Sequence, residues 1–277
     1  MKKFISYLIL TAVLALTLLP LVYTITSSFK SNMEIMTNPG QLLPETFTLD
    51  NYREAWTNSN FNVGRMLWNS TYYTVFNVIV TMTLSAMGGY VFARGNFRGK
   101  KLIFTCFVSL MFIQTGGISI YAVFQVLNAV HMTSSIWALM LTKVFGVPIV
   151  NIYLVKGYIE TLPRALDEAA QIDGCGFFRI FYTIILPLLK PIMATVGILA
   201  FQASWNDYLM PTIFTISLPK QQTLIVGLMA MKNSSGAATS WNLMLAGSVI
   251  ALLPVLAAYA IGNKYFVSGL AAGAVKG

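Results

Sequence analysis

The stretch Glu168–Pro191, EAAQIDGCGFFRIFYTIILPLLKP, decides how the rest of the chain is interpreted. It begins with acidic and small residues, continues through an aromatic segment, and returns to an apolar run that contains two prolines. Long apolar runs flank it on both sides. In a chain that is otherwise mostly apolar, a structured polar insert of this kind indicates a surface that is offered to something outside the membrane.

The composition predicts a protein that crosses a membrane several times. The 277 residues are 56% hydrophobic and only 10% charged, whereas a soluble domain carries about 25% charged residues. The mean hydropathy is +0.69. The net charge of +9 comes from short basic clusters beside apolar runs, which favours membrane orientation over nucleic-acid binding. Cys106 and Cys175 lack the spacing of metal ligands, so we predict no metal site.

Six apolar runs are long enough to cross a bilayer, which takes about 20 helical residues. The first run exceeds the apolar region of a signal peptide, which is about 7 to 15 residues long, so we expect it to remain as a span. The sequence therefore predicts an all-α, polytopic membrane protein with a single transmembrane domain over 1–277. The predicted spans are about 4–26, 69–92, 102–123, 134–155, 184–205 and 241–266.

The distribution of basic residues predicts the orientation in the plasma or inner membrane. The short loop after the second span carries Arg94, Arg98, Lys100 and Lys101 and no acid, which is a strong cytoplasmic marker. Six spans then place both termini in the cytoplasm. A polar loop at about 160–182 and a tail at 267–277 lie on the same side.

Lys143 is the one charged residue that the sequence places deep in an apolar span. A lysine at the centre of a membrane helix costs about 2.5–3.5 kcal/mol, and such residues usually face a water-filled path or a partner. Lys143 could therefore line a translocation path, where it would meet an anionic or hydroxyl-rich solute. Alternatively, it lies near the outer surface and extends its ammonium group to water, or pairs with a neighbouring chain.

A polar and aromatic cluster, Trp205, Asn206 and Tyr208, follows the fifth span. Aromatic faces stack on the apolar faces of sugars and an amide can pair with their hydroxyl groups, so the cluster suits a sugar path. The same residues at the end of a span are also typical of an aromatic belt at the membrane interface. The sequence favours neither interpretation.

The polar loop itself predicts a short helix, a turn and a second, more apolar helix. Pro163 suits the first turn, and Asp167 and Glu168 then lie at the positive end of the helix dipole. Gly174 and Gly176 end the first helix. An interfacial helix would explain the aromatic residues that follow but not the acidic half. Small residues that permit close approach, and a carboxylate for a partner's arginine or lysine, indicate a docking surface. The residues at helical spacing are Leu166, Ala169, Ala170 and Asp173.

The chain lacks its own means of using energy. It contains no G-x-x-x-x-G-K-[ST] loop for ATP phosphates. The predicted spans contain no carboxylate, and Asp207 is the only acid close to one, whereas a proton-coupled carrier generally needs a titratable acid near the midplane. The energy for any transport is therefore expected to come from another protein.

The motif E-A-A-x-x-x-G at Glu168–Gly174, followed by Leu186-Pro187 and Pro191, resembles the EAA loop of permease subunits of ATP-binding-cassette importers. The resemblance extends over nearly the whole chain. The Asp173-Gly174 pair, the segment Trp205–Tyr208 and the ending 267–277 are similar to those of carbohydrate importers of the maltose type. Among these, the chain looks most like the smaller, six-span permease subunit.

This resemblance implies a set of roles and partners. The helix that opens the polar loop would be a coupling helix that docks on an ATPase subunit through Glu168, Ala169, Ala170, Asp173 and Gly174. The tail, with Gly273, Lys276 and Gly277, would reach the interface of the two ATPase subunits. The implied partners are a larger permease subunit, two nucleotide-binding ATPase subunits, an extracytoplasmic sugar-binding protein and the lipid bilayer, with no nucleic acid. ATP and magnesium would be used by the ATPases, and this chain would bind no cofactor and catalyse no reaction.

The predicted function is half of the translocation path of an ATP-driven importer of a sugar or oligosaccharide. Two alternatives stay open at this point. The same importer could carry an acidic, uronate-type oligosaccharide because of Lys143, or the chain could be a secondary carrier or channel that works without an ATPase.

Overall fold

The computed structural model describes residues 2–58, 61–112, 116–132, 135–233 and 240–274. Within these ranges every regular element is a helix, which confirms the predicted all-α class. The helices are α1 (Lys2–Ser27), α2 (Asn32–Thr37), α3 (Asp50–Thr57), α4 (Val63–Arg94), α5 (Lys100–Leu110), α6 (Gly116–Ala129), α7 (Ile136–Val144), α8 (Ile149–Thr161), α9 (Ala165–Ile172), α10 (Phe177–Ile180), α11 (Leu186–Leu188), α12 (Lys190–Trp205), α13 (Leu209–Thr215), α14 (Leu224–Asn233) and α15 (Trp241–Ala274). A π-helical turn, Phe181–Ile185, joins α10 to α11, and a 3₁₀ turn, Pro219–Gln221, precedes α14.

Four segments of the described chain are long and apolar enough to cross a membrane. They are α1, α4, the α7–α8 pair taken as Ile136–Thr161, and the part of α15 over Trp241–Gly262. A fifth candidate is the pair Phe177–Leu188 and Lys190–Trp205, which is bent by 79°. The predicted third span, about 102–123, corresponds to the shorter helices α5 and α6, with 113–115 outside the described residues. The predicted number of six spans therefore stays a prediction.

The chain divides into two compact units, of which the first comprises Met1–Ser70 and Pro219–Leu256. Its polar centre is Asn51, whose amide nitrogen donates to the carbonyls of Ser28 and Lys30, each at 2.8 Å. The side-chain oxygen of Asn51 accepts a hydrogen bond from Asn242 at 2.8 Å. One buried amide thus joins the end of α1, the start of α3 and the start of α15. Thr48 Oγ1 accepts from the backbone nitrogen of Asp50 at 3.1 Å, immediately before α3.

The second unit comprises Thr71–Leu218 and Ala257–Gly277. Two glycines on α4, Gly88 and Gly89, allow α8 to approach closely. A Cβ atom at Gly89 would lie 2.6 Å from Val155 Cγ1, and one at Gly88 would lie 3.0 Å from Ile152 Cδ1. Because small residues at a helix contact let backbones approach, α4 and α8 pack closely at these two glycines.

Two features of the second unit break the regular helices. The segment 145–148 interrupts the predicted fourth span, so α7 and α8 are separate helices. The apolar run after the polar loop bends by 79° next to Leu189, between Pro187 and Pro191, and the π-helical turn lies just before that bend. Proline and π-bulges are the ordinary causes of such breaks.

Candidate functional site

The first helix of the polar loop, α9, forms where the sequence predicts it. Pro163 precedes it, and Asp167 and Glu168 occupy its first turn. Its end is a Schellman motif: Gly174 N donates to Gln171 O at 3.0 Å, and Cys175 N donates to Ala170 O at 2.9 Å. Gly174 has a φ of 78°, a left-handed conformation that favours glycine. The turn between α9 and α10 is therefore set by the sequence itself.

The buried face of α9 is held by an ion pair to the end of α4. Asp167 Oδ2 lies 2.9 Å from Arg94 Nε, and the two side chains are only 10% and 8% exposed. Arg94 Nη2 also donates to the carbonyl of Leu162 at 2.8 Å. Arg94 was predicted only as a marker of orientation, and Asp167 only as a residue that suits the helix dipole. Neither residue type nor spacing along the chain indicates that they meet.

Two further contacts hold the polar loop to α4. The hydroxyl group of Tyr90 donates to the carbonyl of Phe177 at 3.2 Å. The ring of Tyr90 packs on the rings of Phe177 and Phe181, with centroids 4.5 and 5.1 Å apart. The start of α10 is thus fixed to the same helix that carries Arg94, so α4 and the whole polar loop are joined by several buried contacts.

Lys100 caps the carboxyl-terminal end of α4, near the residues that hold the polar loop. Its ammonium group donates to the carbonyl of Gly95 at 2.9 Å and of Ala93 at 3.3 Å, which satisfies carbonyls that the helix end leaves free. Burial, and then the positive charge of Lys156, lower the pKa of Lys100, while Glu160 opposes this shift. Lys100 therefore helps to end α4.

The exposed face of α9 presents most of the predicted docking residues. Glu168, Ala169, Asp173 and Gly174 are all exposed. Ala170 is an exception, because it is only 4% exposed and belongs to the core of its own unit. We expected both alanines on the outer face, and for Ala170 this was wrong. Its small side chain lets α9 pack inward.

Ile172 extends the same exposed face and was not singled out from the sequence. It is 87% exposed, and Leu166, six residues earlier on the helix, is 38% exposed. An exposed apolar side chain of this kind is compatible with a contact surface. The face thus combines two apolar side chains with the carboxylates of Glu168 and Asp173.

The predicted tail residues lie at the limit of the described chain. Gly273 falls within α15, which extends to Ala274. Lys276 and Gly277 lie outside the described residues. Their predicted role at an ATPase interface stays a prediction.

A cavity of about 310 Å³ with several polar side chains in its wall lies among α4, α7, α8 and α12. Lys143 lines it, together with three backbone positions of the break between α7 and α8. The polar side chains in its wall are Asn77, Thr81, Lys143, Asn151 and Ser204. Of these, only Lys143 was predicted as a path residue. The Gly-Val-Pro sequence at 146–148 is a local signal for the break between α7 and α8.

Lys143 forms an ion pair with Asp207 of the same unit. Its ammonium nitrogen lies 3.9 Å from Asp207 Oδ2, and the hydroxyl group of Tyr73 donates to the same oxygen at 2.9 Å. The other oxygen of Asp207 accepts from the backbone nitrogen of Met210 at 3.4 Å, at the start of α13. An acid at the positive end of a helix therefore holds a lysine and a tyrosine together.

The other predicted path residues do not line this cavity. Trp205 is 5% exposed, and its ring stacks on that of Phe201 with centroids 5.6 Å apart. Asn206 is exposed and donates to the carbonyl of Gln202 at 3.0 Å, and Tyr208 is half-buried. Their role in a sugar path stays a prediction.

These features together define a class of protein. Several apolar helices make it a multi-pass membrane protein, a cavity with several polar side chains lies among the helices of one unit, and a helix with an exposed face is tied to a span. A subunit of a membrane transport system combines these elements. The chain belongs to the family of binding-protein-dependent transport system inner membrane components, whose model matches residues 85–270, more than half of the chain.

Several relatives align over nearly their full length. The chain is 32% identical to the galactooligosaccharides transport system permease protein GanQ of Bacillus subtilis (strain 168), over 98% of this chain and 95% of that protein. It is 31% identical to the maltodextrin transport system permease protein MdxG of the same organism, over 100% and 97%. It is 33% identical to AmyC of Thermoanaerobacterium thermosulfurigenes, a probable permease protein of a system for starch degradation products, over 93% and 91%.

The fold is also that of a solved transporter chain. A chain in the crystal structure of a bacterial ABC transporter, involved in the import of the acidic polysaccharide alginate, superposes with a TM-score of 0.83 over 96% of each chain. The sequence identity is 21%, so this likeness supports the fold and not the cargo. The chain is thus a multi-pass permease subunit of an ABC transporter.

Proposed function

We propose that this chain forms half of the translocation path of an ATP-driven importer for a sugar or oligosaccharide. The observation that carries the proposal is the exposed face of α9, which is anchored to α4 by the pair of Asp167 and Arg94. A docking surface that is rigidly tied to a span can pass a partner's movement into the membrane. The names of GanQ, MdxG and AmyC support a carbohydrate cargo.

In this proposal, other chains supply the second half of the translocation path and the energy for transport. We propose a second, larger permease subunit, two ATPase subunits that use ATP and magnesium, and an extracytoplasmic sugar-binding protein. The face of Glu168, Ala169 and Asp173 would dock on an ATPase, with both termini in the cytoplasm. The basic loop that contains Arg94 and Lys100 supports this orientation.

One observation favours a second cargo. Lys143 lines the cavity and is 37% exposed at its side chain, so an acidic oligosaccharide of the uronate type is the alternative within the same class. A secondary carrier or channel is the alternative from another class. The acid within the described spans, Glu160, pairs with Lys156 near the exposed end of α8, whereas a proton-coupled carrier generally needs a titratable acid near the midplane.

Reconstitution in liposomes tests the importer. The purified chain alone is expected to move no sugar, because neither a complete path nor an ATPase is present. The complex with the second permease and the ATPases, supplied with the binding protein, is expected to take up oligosaccharide only with ATP. Uptake by the isolated chain, or uptake by the complex that is independent of ATP, would contradict the proposal.

A further inference from the structure

Basic side chains gather where two membrane-spanning helices end side by side. One of them, α4, ends at Arg94, whose side chain donates to the carbonyl of Leu162, just after the end of α8. The next helix, α5, begins at Lys100, which caps α4 through two carbonyls. Arg98 and Lys101, beside Lys100 in the chain, are exposed. Because the ends of membrane helices lie near the polar headgroups of the bilayer, these charges lie where a lipid carries its own.

The positive charge at this place exceeds the negative charge. On α8, Lys156 pairs with Glu160 at 2.7 Å, and Arg164 lies just beyond the end of that helix. Burial and the charge of Lys156 lower the pKa of Lys100, Glu160 opposes this shift, and Arg164 adds to it. The basic cluster comprises Arg98, Lys100, Lys101, Lys156 and Arg164. Glu160 compensates only one of these charges, so the cluster attracts an anion.

An open apolar surface of α5 and α8 adjoins the basic cluster. No side chain of α5 is buried, and Leu102 is 70% exposed. The ring of Phe104 stacks on that of Tyr153 with centroids 6.2 Å apart, and Lys156 Nζ lies 4.8 Å from the centre of the Phe104 ring. A Cβ atom at Gly157, one turn after Tyr153, would meet no atom of the described chain within 4 Å. The surface therefore combines cations, two aromatic rings and free space.

We propose that the basic cluster and the adjoining surface of α5 and α8 bind an anionic phospholipid. The phosphate group would contact Arg98 and Lys101, and an acyl chain would lie along Leu102 and the ring of Tyr153. A soluble anion would use the cations but not the apolar surface, whereas a lipid without net charge would use the apolar surface and gain little from the cations. Basic pockets between membrane helices bind anionic headgroups in this way. The inference goes beyond the proposed function, because it depends on neither the cargo nor the energy source.

Fluorescence quenching at α5 measures this lipid preference directly. The native Cys106, exposed on α5, carries a nitrobenzoxadiazole fluorophore in the purified complex, whose other cysteines are replaced by alanine. The complex is reconstituted in phosphatidylcholine bilayers that contain an equal fraction of either doxyl-labelled phosphatidylglycerol or doxyl-labelled phosphatidylcholine. Because each nearby base strengthens the attraction of an anionic headgroup about fivefold, we expect phosphatidylglycerol to bind about fivefold more tightly than phosphatidylcholine or better.

Two variants of opposite sign separate charge from folding. Lys101→Gln removes an exposed base and is expected to lower the preference for phosphatidylglycerol about fivefold. Glu160→Gln removes the acid that opposes the cluster and is expected to raise the preference, whereas a misfolded surface would lower it in both variants. Lys190→Gln is the matched control, because Lys190 is an exposed lysine of the same unit that lines a different cavity, between α4 and α12. It is expected to leave the preference unchanged.

Any of three results would overturn the inference. Equal quenching by the two lipids in the wild-type complex would show that another subunit covers the surface or that lipids bind there without selection. A preference that Lys101→Gln and Glu160→Gln both leave unchanged would show that the basic cluster does not cause it. A preference that is lost in sodium phosphate, but kept in sodium chloride of equal ionic strength, would show that the cluster binds free phosphate. ATP-driven uptake is measured on the same samples, so a failure of the proposed function is detected separately.

Discussion

The ion pair between Asp167 and Arg94 gives the sharpest prediction about how α9 is joined to the membrane helices. Asp167→Asn changes almost no volume but removes the charge that lies 2.9 Å from Arg94 Nε. The guanidinium group would then be buried with the carbonyl of Leu162, 2.8 Å from Nη2, as its remaining hydrogen-bond partner within the part of the chain that the structure describes. Removing one member of a buried pair costs about 3–5 kcal/mol. Because asparagine still offers an acceptor, we expect a loss of about 3 kcal/mol at the lower end of that range.

Glu160→Gln is the matched control. Glu160 pairs with Lys156 at 2.7 Å on the surface of α8, and the side chain of Glu160 is 48% exposed. An exposed pair of this helical spacing contributes only about 0.3–0.5 kcal/mol. The double variant Arg94→Met with Asp167→Leu replaces the buried pair by apolar groups and is expected to be close to neutral in stability.

The assay is reversible unfolding of the purified chain in mixed detergent micelles, combined with uptake and ATP hydrolysis by the complex. We expect Asp167→Asn to lower uptake more than ATP hydrolysis, because a displaced α9 would follow the ATPase without moving α4. A loss of stability no greater than that of Glu160→Gln, together with normal uptake, would refute the anchoring role.

Three further substitutions test the α9 segment and its support. Gly174→Ala is expected to lower the free energy of unfolding by about 1 kcal/mol, because Gly174 has a left-handed φ of 78°. The control Gly157→Ala places a methyl group in open space within α8 and should be neutral or stabilising in the same unfolding assay. Gly89→Ala is expected to cost about 1–3 kcal/mol, because the new Cβ would lie 2.6 Å from Val155 Cγ1; an unchanged unfolding midpoint would contradict the tight packing. Glu168→Lys is expected to abolish uptake while the chain still inserts in the membrane. Normal uptake by this variant would show that Glu168 is not needed for docking of the ATPase.

Local signals predicted the polar loop well. The position of α9, its proline start and its glycine end depend on residues that are neighbours in the sequence, and the structure places them where the sequence indicated. The apolar class and most of the long spans follow from composition and run length, which act over one helix at a time. These features need no knowledge of the tertiary contacts.

Contacts between distant segments were not predictable in the same way. Arg94 and Asp167 are far apart in sequence, and nothing in either local pattern indicates that they pair. The same is true of Lys143 and Asp207, although both were noted as unusual charges. Ala170 was placed on the wrong face because helical spacing alone does not say which side of α9 packs inward. The break between α7 and α8 has a local Gly-Val-Pro signal, but the high hydropathy of the whole run predicted one continuous span.

Cross-linking from α9 to an ATPase subunit tests the central claim most directly. In a chain whose two native cysteines are replaced by alanine, Ile172→Cys puts a thiol at a position that is 87% exposed on the docking face. Leu43→Cys, 70% exposed in the other unit, is the control. The account predicts that a short thiol-to-amine cross-linker joins Ile172→Cys, but not Leu43→Cys, to the co-purified ATPase and blocks ATP-driven uptake. Absence of that cross-link in a complex that actively imports sugar would contradict the account.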